Sequence, residues 1–424
     1  MIANNKNQRR TMDKTKPGRR IDLGAAFRGF IIEWSKPLSV ALFAFVFYSI
    51  AAAYGGGIFS RSDNPYYNFL ADALLNGQLN LRINPPSYSD LILYNGQLYL
   101  YWPPLPALLM IPFVAVFGVA FSDVFFATLI SAVDSMLVAA ILKEANQRNL
   151  IHVSPVQRGL LVIFFTLGTM FSPLAGSGNV WSLGQLTGLA CVGLAYWAVL
   201  RFKGWKAFLL AGVGIGAAFA ARNSLILLGA FPAWFLLHEH WNLRWKRLFQ
   251  MVLLAMVPIA ITLLLIGLYN YARFGNPFEI GYQYHMMDEY FRPLYEKYGP
   301  FNLHYLPTNL YYQFIFYPFP ARWDSAMGGS VFLLSPLFFG ALWSLWQDRR
   351  QASTWALLAA FIIGYIPIGL LMGTGYFQYG PRYLLDLVIP LMLLTARGIR
   401  RWPLWLVCTL ILISLVHYIP WIFM

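Results

Sequence analysis

The chain has 424 residues, 58% of them apolar, 17% aromatic and only 11% charged, with a formal net charge of +14. A charged share roughly half that of an average soluble domain excludes a water-soluble globule. The surplus of Lys and Arg invites nucleic acid, yet those residues fall in the gaps between long apolar runs, where they report membrane topology and not polyanion binding.

Residues 1–37 are polar and basic, with Arg9, Arg10, Lys14, Lys16, Arg19 and Arg20, and read as a cytoplasmic tail. A single transmembrane domain over 38–424 follows. The run Val40 to Ala53 ends in Ala51-Ala52-Ala53, which imitates a signal-peptidase site, but the basic stretch ahead of it is too long for a secretory signal, so the first span is expected to stay uncleaved. Apolar runs near 38–57, 121–142, 158–174, 183–200, 206–221, 223–237, 248–269, 330–346, 353–372, 382–396 and 402–420 predict an all-α polytopic membrane protein of about eleven spans. With the N-terminus inside, alternate gaps carry Lys143, Arg148 and Arg158; Arg201, Lys203 and Lys206; Arg244, Lys246 and Arg247; Arg349 and Arg350; and Arg397, Arg400 and Arg401. Only eight of the 31 basic residues then lie outside, namely Arg61, Arg82, Arg222, Arg273, Arg292, Lys297, Arg322 and Arg382. This map obeys the positive-inside rule. The run Leu105 to Phe117 follows Pro103-Pro104 and stops at Gly118, a length that suits an interfacial or re-entrant helix better than a span. Residues 58–118 and 270–329 are therefore two outer loops. No internal repeat is visible, which weighs against an inverted-repeat transporter. Cys191 and Cys408 both sit inside apolar runs, leaving neither a disulfide framework nor a paired-cysteine metal site.

In the first outer loop, Asn64 can cap a helix, Pro65 suits its first turn and Gly77 the position past its end, which predicts a helix over 65–76. Tyr66, Phe69, Leu70, Ala73 and Leu74 recur at helical spacing while Asn68, Asp72 and Asn76 take the other face, so the helix is amphipathic. Asp63 stands just ahead of it, either as a reactive carboxylate at the membrane boundary or as a charge favoured by the helix N-terminus. Asp90, between the turn-forming pairs Pro85-Pro86 and Asn95-Gly96, is a second loop acid with a solvated reading beside it. Asp72 faces water or a polar substrate.

The order first span, Asp63, helix ending Ala71-Asp72-Ala73-Leu74-Leu75-Asn76-Gly77, then Tyr94-Asn95-Gly96-Gln97-Leu98-Tyr99, Pro103-Pro104-Leu105 and Phe117-Gly118 resembles the GT-C superfamily of membrane glycosyltransferases. The branch it looks most like contains the protein O-mannosyltransferases and the lipid A aminoarabinose transferases. The resemblance spans roughly residues 38–142. It implies a multi-span enzyme whose first outer loop carries a catalytic acid, matched here by Asp63, and whose donor is a sugar linked to a polyprenyl phosphate. The chain carries Asp63-Asn64 where the family often has an acidic pair, which leaves a divalent metal an open requirement.

Such a transfer needs a base for the acceptor hydroxyl and positive charge for the departing phosphate. Asp63 and then Asp90 are the candidate bases. Arg382, in Tyr379-Gly380-Pro381-Arg382-Tyr383 at the outer start of a span, is a donor-phosphate candidate, with headgroup snorkelling as its alternative. Arg222, beside Asn223 at a proposed outer turn, is either a second phosphate ligand or a simple loop arginine. Tyr282, Tyr284, His285 and Trp323 of the second outer loop can contact a sugar or acceptor, although interface anchoring also explains aromatics there. Asp134 sits mid-span and needs a partner or a cavity, and Asp386, one turn past Arg382, is expected to pair with it. The expected partners are membrane lipids, the lipid-linked donor, an acceptor that is a glycan, lipid or protein, and an optional partner subunit; nucleic acid is excluded. The place is the plasma membrane, of bacterial type, with the active face outside. Two other classes fit the same residues: a transporter or flippase, favoured if Asp134, Arg222 and Arg382 line one path, and a noncatalytic membrane subunit on the same scaffold.

Overall fold

Each of the eleven apolar runs is helical in the computed structural model, which describes residues 29–319, 328–374 and 378–422 apart from 30 and 34. In chain order the first helices are α1 (Pro37–Tyr54), α2 (Tyr66–Leu75), α3 (Leu105–Phe117), α4 (Asp123–Gln147), α5 (Pro155–Leu167), α6 (Val180–Arg201), α7 (Trp205–Ala221), α8 (Ala230–His240) and α9 (Trp245–Phe274). Then come the short α10 (Arg292–Tyr298), α11 (Leu306–Leu310) and α12 (Val331–Leu334), and finally α13 (Phe339–Gln347), α14 (Ala352–Leu370), α15 (Val388–Gly398) and α16 (Leu404–Ile422). Six of them, α1, α4, α6, α9, α14 and α16, are at least 18 residues long and apolar enough to cross a membrane.

The remaining runs are shortened or broken, for local reasons. Pro336 has no N–H to continue α12, so the run near 330–346 turns through a 3-10 segment, Pro336–Phe338, before α13 begins. The chain is extended at Arg222 (φ −154°, ψ 120°), after which a 3-10 segment, Asn223–Gly229, leads into α8. Another 3-10 segment, Arg382–Leu387, precedes α15. Irregular backbone at such depth is tolerated where it lines a cavity or is buried in protein.

Contacts between helix ends sort the bundle into two ends. At one, Arg148 pairs with Glu239 at 3.0 Å, Arg201 with Glu144 at 3.8 Å, and Arg397 and Arg400 both with Asp348. Gln157 ties α5 to the Ile399 carbonyl there. Members of three of the five expected basic clusters, Arg148, Arg201 and the pair Arg397 and Arg400, thus lie at this end. At the other end the two long loops meet: Ser122 donates to the Ile58 carbonyl, Arg273 to the Leu100 carbonyl, and Asn302 N–H to the Leu370 carbonyl. Small residues let the helices approach closely; a Cβ at Gly398 would strike the Gly340 carbonyl where α15 crosses α13.

The first long loop packs onto the bundle. Ten residues of α2 run close to the expected 65–76, but the helix is buried over Tyr66–Ala71 and at Ala73, and Asn68 reaches inward to the Phe121 carbonyl at 2.6 Å. So α2 is enclosed by α3 and the start of α4, not laid along a bilayer with one face free. α3 has the expected 13 residues and ends at Gly118 with φ 66°. Between them is a hairpin of β1 (Leu91–Tyr94) and β2 (Gln97–Leu100), paired Leu91 to Leu100 and turned by Asn95 (φ 50°) and Gly96 (φ 76°), the positive values a two-residue hairpin turn needs.

Asp134 lies inside α4, 1% exposed, and neither carboxylate oxygen has a hydrogen-bond partner among the described residues.

Candidate functional site

At the loop end of the bundle, irregular segments enclose a cavity of about 450 Å³. Its walls come from the first loop (Asp90, Tyr101, Trp102), the second loop (Tyr282, His285), the break at Arg222 and Asn223, the end of α9 (Tyr269, Arg273) and the 3-10 start at Arg382.

Asp90 is held there by both loops. Its N–H donates to the Met286 carbonyl at 3.0 Å, while Met286 N–H donates to the Leu91 carbonyl at 2.7 Å and Ile92 bridges His285 in antiparallel fashion, so the second loop is tied to the edge of the hairpin by a single bridge. Gly281 permits this approach: φ is 90° and a Cβ would strike the Ile92 side chain. The Asp90 backbone takes φ 63°, a left-handed conformation that Asp tolerates better than most residues. Its carboxylate then accepts from Trp181 Nε1–H on Oδ2 at 3.0 Å, and Oδ1 lies 3.2 Å from His285 Nε2. The second contact is close but poorly aligned, since Nε2 has no hydrogen bond of acceptable angle.

The opposite side of the cavity is cationic. Arg222 Nε donates to Asp386 at 3.1 Å, and Asp386 also accepts from Gln185. Asp386 thus pairs across helices with Arg222 and not locally with Arg382. Arg222 and Arg382 flank one ring, with guanidinium carbons 5.6 and 5.0 Å from the Tyr383 centroid. Arg382 has no carboxylate partner among the described residues, and its Nε is unpartnered. Arg273 stacks on Tyr269 at 4.0 Å and Phe274 at 4.6 Å and donates to the Leu100 carbonyl and Asn270, again without a carboxylate and with a free Nε. Unpartnered Asn223 Oδ1 and Tyr269 OH complete a set of buried polar atoms in this wall. Tyr282 stands between the two sides, sensing both Asp90 and Arg222; burial pushes its phenol up to about 12, against the effect of a hydrogen bond from Tyr101. Burial also raises the Tyr101 phenol well above its ordinary value, so both hydroxyls remain protonated at neutral pH.

Among the residues singled out from sequence, the cavity brings together Asp90, Arg222, Arg382, Tyr282 and His285. Asp63 is elsewhere. It is exposed in a shallow depression with Asn64, Pro86 and Ser87, and makes no hydrogen bond or ion pair among the described residues. Its neighbours are the anchored ones: Ser62 donates twice to Asp123 at the start of α4, and the Asn64 carbonyl accepts from Val180 N–H. Asp72 pairs with Arg82 at 3.4 Å on the loop surface. Tyr284 packs against Tyr94, centroids 4.7 Å apart, under the hairpin. Trp323 lies outside the described residues. The reading from sequence passed over Trp181, Asn223, Tyr269 and a binding role for Arg273. Arg273 carried a usable signal, being an arginine at the end of a long apolar run where the loops were expected, whereas nothing near Trp181 marks it. Among the described residues no three His, Cys, Asp or Glu side chains converge as a metal's ligand set.

The largely helical bundle with this loop-end cavity is similar in fold to a solved membrane-protein structure. The structure of ArnT from Cupriavidus metallidurans bound to undecaprenyl phosphate superposes with a TM-score of 0.50 at 14% identity, covering 86% of this chain and 60% of that one. The Archaeoglobus fulgidus oligosaccharyltransferase tethered to an acceptor peptide gives a TM-score of 0.44 at 13% identity over 90% of this chain and 54% of that one, too loose a match to argue from. The chain therefore spans about 60% of the length of the ArnT chain it matches. No protein-family model and no curated protein matches it.

Proposed function

We propose that the protein is a membrane glycosyltransferase that moves a sugar from a polyprenyl-phosphate donor to an acceptor hydroxyl at the outer face of the plasma membrane. The observation that carries the reading is one cavity with an acid held by two loops on one side and arginines, two of them without carboxylate partners, on the other. The undecaprenyl phosphate bound in ArnT supports the donor class.

The chemistry follows from charge. The acceptor oxygen attacks the sugar C1, the bond from C1 to the phosphate oxygen breaks, and the electron pair leaves with the phosphate, whose negative charge grows. Arg382 and Arg273 meet that growing charge, and a guanidinium can do so through two parallel hydrogen bonds. Arg222 is neutralised by Asp386 and so contributes donors with less net charge. The acceptor proton departs on the Asp90 side. Asp63, exposed and outside the cavity, is assigned no step. Tyr101, Trp102 and Tyr282 offer apolar ring faces and hydroxyl donors that suit a sugar. The acceptor is a glycan, lipid or protein, recognised by the loops or by a partner subunit. A transport path is not supported, because Asp134 is not among the residues lining the cavity with Arg222 and Arg382.

The test is release of undecaprenyl phosphate by the purified full chain from undecaprenyl-phosphate-linked mannose, glucose, galactose and arabinose, with membrane lipid extract as acceptor. Transfer from at least one donor is expected; no transfer from any, together with no binding of undecaprenyl phosphate itself, would remove the reading.

A further inference from the structure

Asp90 has one oxygen hydrogen-bonded and the other close to an imidazole before any substrate arrives. Trp181 donates to Oδ2, and His285 Nε2 stands 3.2 Å from Oδ1. The other imidazole nitrogen, Nδ1, has no hydrogen bond and is not among the buried unpartnered atoms, while His285 lines the cavity. One ring nitrogen therefore lies beside a carboxylate, and the other is not buried, on a residue that lines the cavity. The ring itself is fixed: its backbone bridges Ile92, Met286 N–H donates to the Leu91 carbonyl, and Tyr101 packs beside it with centroids 5.0 Å apart. Nothing in such an arrangement is needed to anchor a loop to a membrane.

We infer that His285 is the catalytic residue that takes the acceptor's proton, and that Asp90 is its positioning residue, holding the proton on Nε2 so that Nδ1 presents a lone pair to the cavity. The inference rests on the transferase reading above. In the step, the acceptor O–H proton moves to Nδ1 as the oxygen bonds to C1 and the phosphate leaves with the bonding pair. The imidazolium so formed is stabilised by the Asp90 carboxylate, and its proton passes to water once the product has gone. The Nε2 to Oδ1 contact is close but misaligned in the free protein, as catalytic hydrogen bonds often are before substrate closes the site. A carboxylate that orients a histidine and compensates its charge is a recurring solution to activating a hydroxyl.

The experiment compares His285→Gln and His285→Ala with wild type, measuring kcat, KM and undecaprenyl phosphate binding. Gln keeps a donor that can face Asp90 but cannot accept a proton. The expected result for His285→Gln is a kcat lower by about 10²- to 10³-fold with KM and undecaprenyl phosphate affinity within about threefold. His285→Ala should recover at least roughly tenfold in rate on addition of free imidazole, which can occupy the vacated space and act as base. If His285→Gln stays within about threefold of wild type while Asp90→Asn is inactive, Asp90 itself is the base and the dyad falls, leaving the transferase reading intact. If both His285 variants are slow and imidazole rescues nothing, His285 is a packing residue and the dyad falls likewise. If wild type transfers no sugar, the transferase reading fails and the dyad with it.

Discussion

Replacing Asp90 by Asn separates the two acids of the first loop more sharply than any other change. The substitution keeps the shape of the side chain, and Asn tolerates the φ of 63° at this position at least as well as Asp. The amide oxygen can still accept from Trp181, which now donates at 3.0 Å. The amide nitrogen would face His285 where Oδ1 now lies 3.2 Å away. Stability should thus change by no more than about 0.5 kcal/mol, the range of a tolerated substitution. Activity should not survive. Whichever member of the pair receives the proton, the negative charge that drives the transfer is gone, and loss of acid–base catalysis costs about 10² to 10⁴ in rate. At 1.36 kcal/mol per decade that is roughly 3 to 5 kcal/mol of transition-state stabilisation. Asp63→Asn, at an exposed side chain without a partner among the described residues, should leave the rate within about twofold. Both variants and wild type are compared in detergent for sugar transfer from an undecaprenyl-phosphate donor, with a thermal melt to confirm folding. A folded, active Asp90→Asn beside an inactive Asp63→Asn would refute the assignment and return the base to the residue that the family resemblance singled out.

Arg382→Lys should weaken undecaprenyl phosphate binding by about tenfold although charge is kept, since an ammonium cannot reproduce the guanidinium fork; unchanged affinity in a direct binding titration would assign Arg382 to headgroup anchoring. Asp348, 3% exposed and shared by Arg397 and Arg400, holds together the far end of the bundle. Asp348→Asn should lower stability by roughly 3–5 kcal/mol, because it strands buried guanidinium charge, and a melting temperature unchanged from wild type would show that the network carries no load. Reporters fused near Lys246 and Glu296 should prove cytoplasmic and external respectively, and the reverse pattern would invert the whole topology.

The helices were legible because each buries or exposes a continuous apolar run, a signal that survives without knowledge of neighbours. The break at Ser335-Pro336 has a local cause, a missing N–H, yet the apolar run of 330–346 was read as one continuous span. By contrast, the 3-10 entry at Arg382 and the extended residue at Arg222 depend on how α7, α8 and α15 surround the cavity, and no short window of sequence contains that information. Asp386 illustrates the same limit: spacing pointed to Arg382 one turn away, whereas the structure pairs it with Arg222. For Asp63 and Asp90 the sequence supplied two acids in one loop and a motif that favoured the first. What distinguishes Asp90 is a partner at the start of α6 and another in the second loop, both distant along the chain.

The antiparallel pairing of Ile92 with His285 has a bearing on biogenesis. The two bridged residues are delivered by loops on either side of helices α4 to α9, so a chain halted partway through insertion possesses Asp90 but no histidine beside it. Completion of the site is thereby coupled to successful threading of the intervening helices. A molecule with one helix inserted the wrong way would place the two loops in different compartments and leave Asp90 and His285 apart.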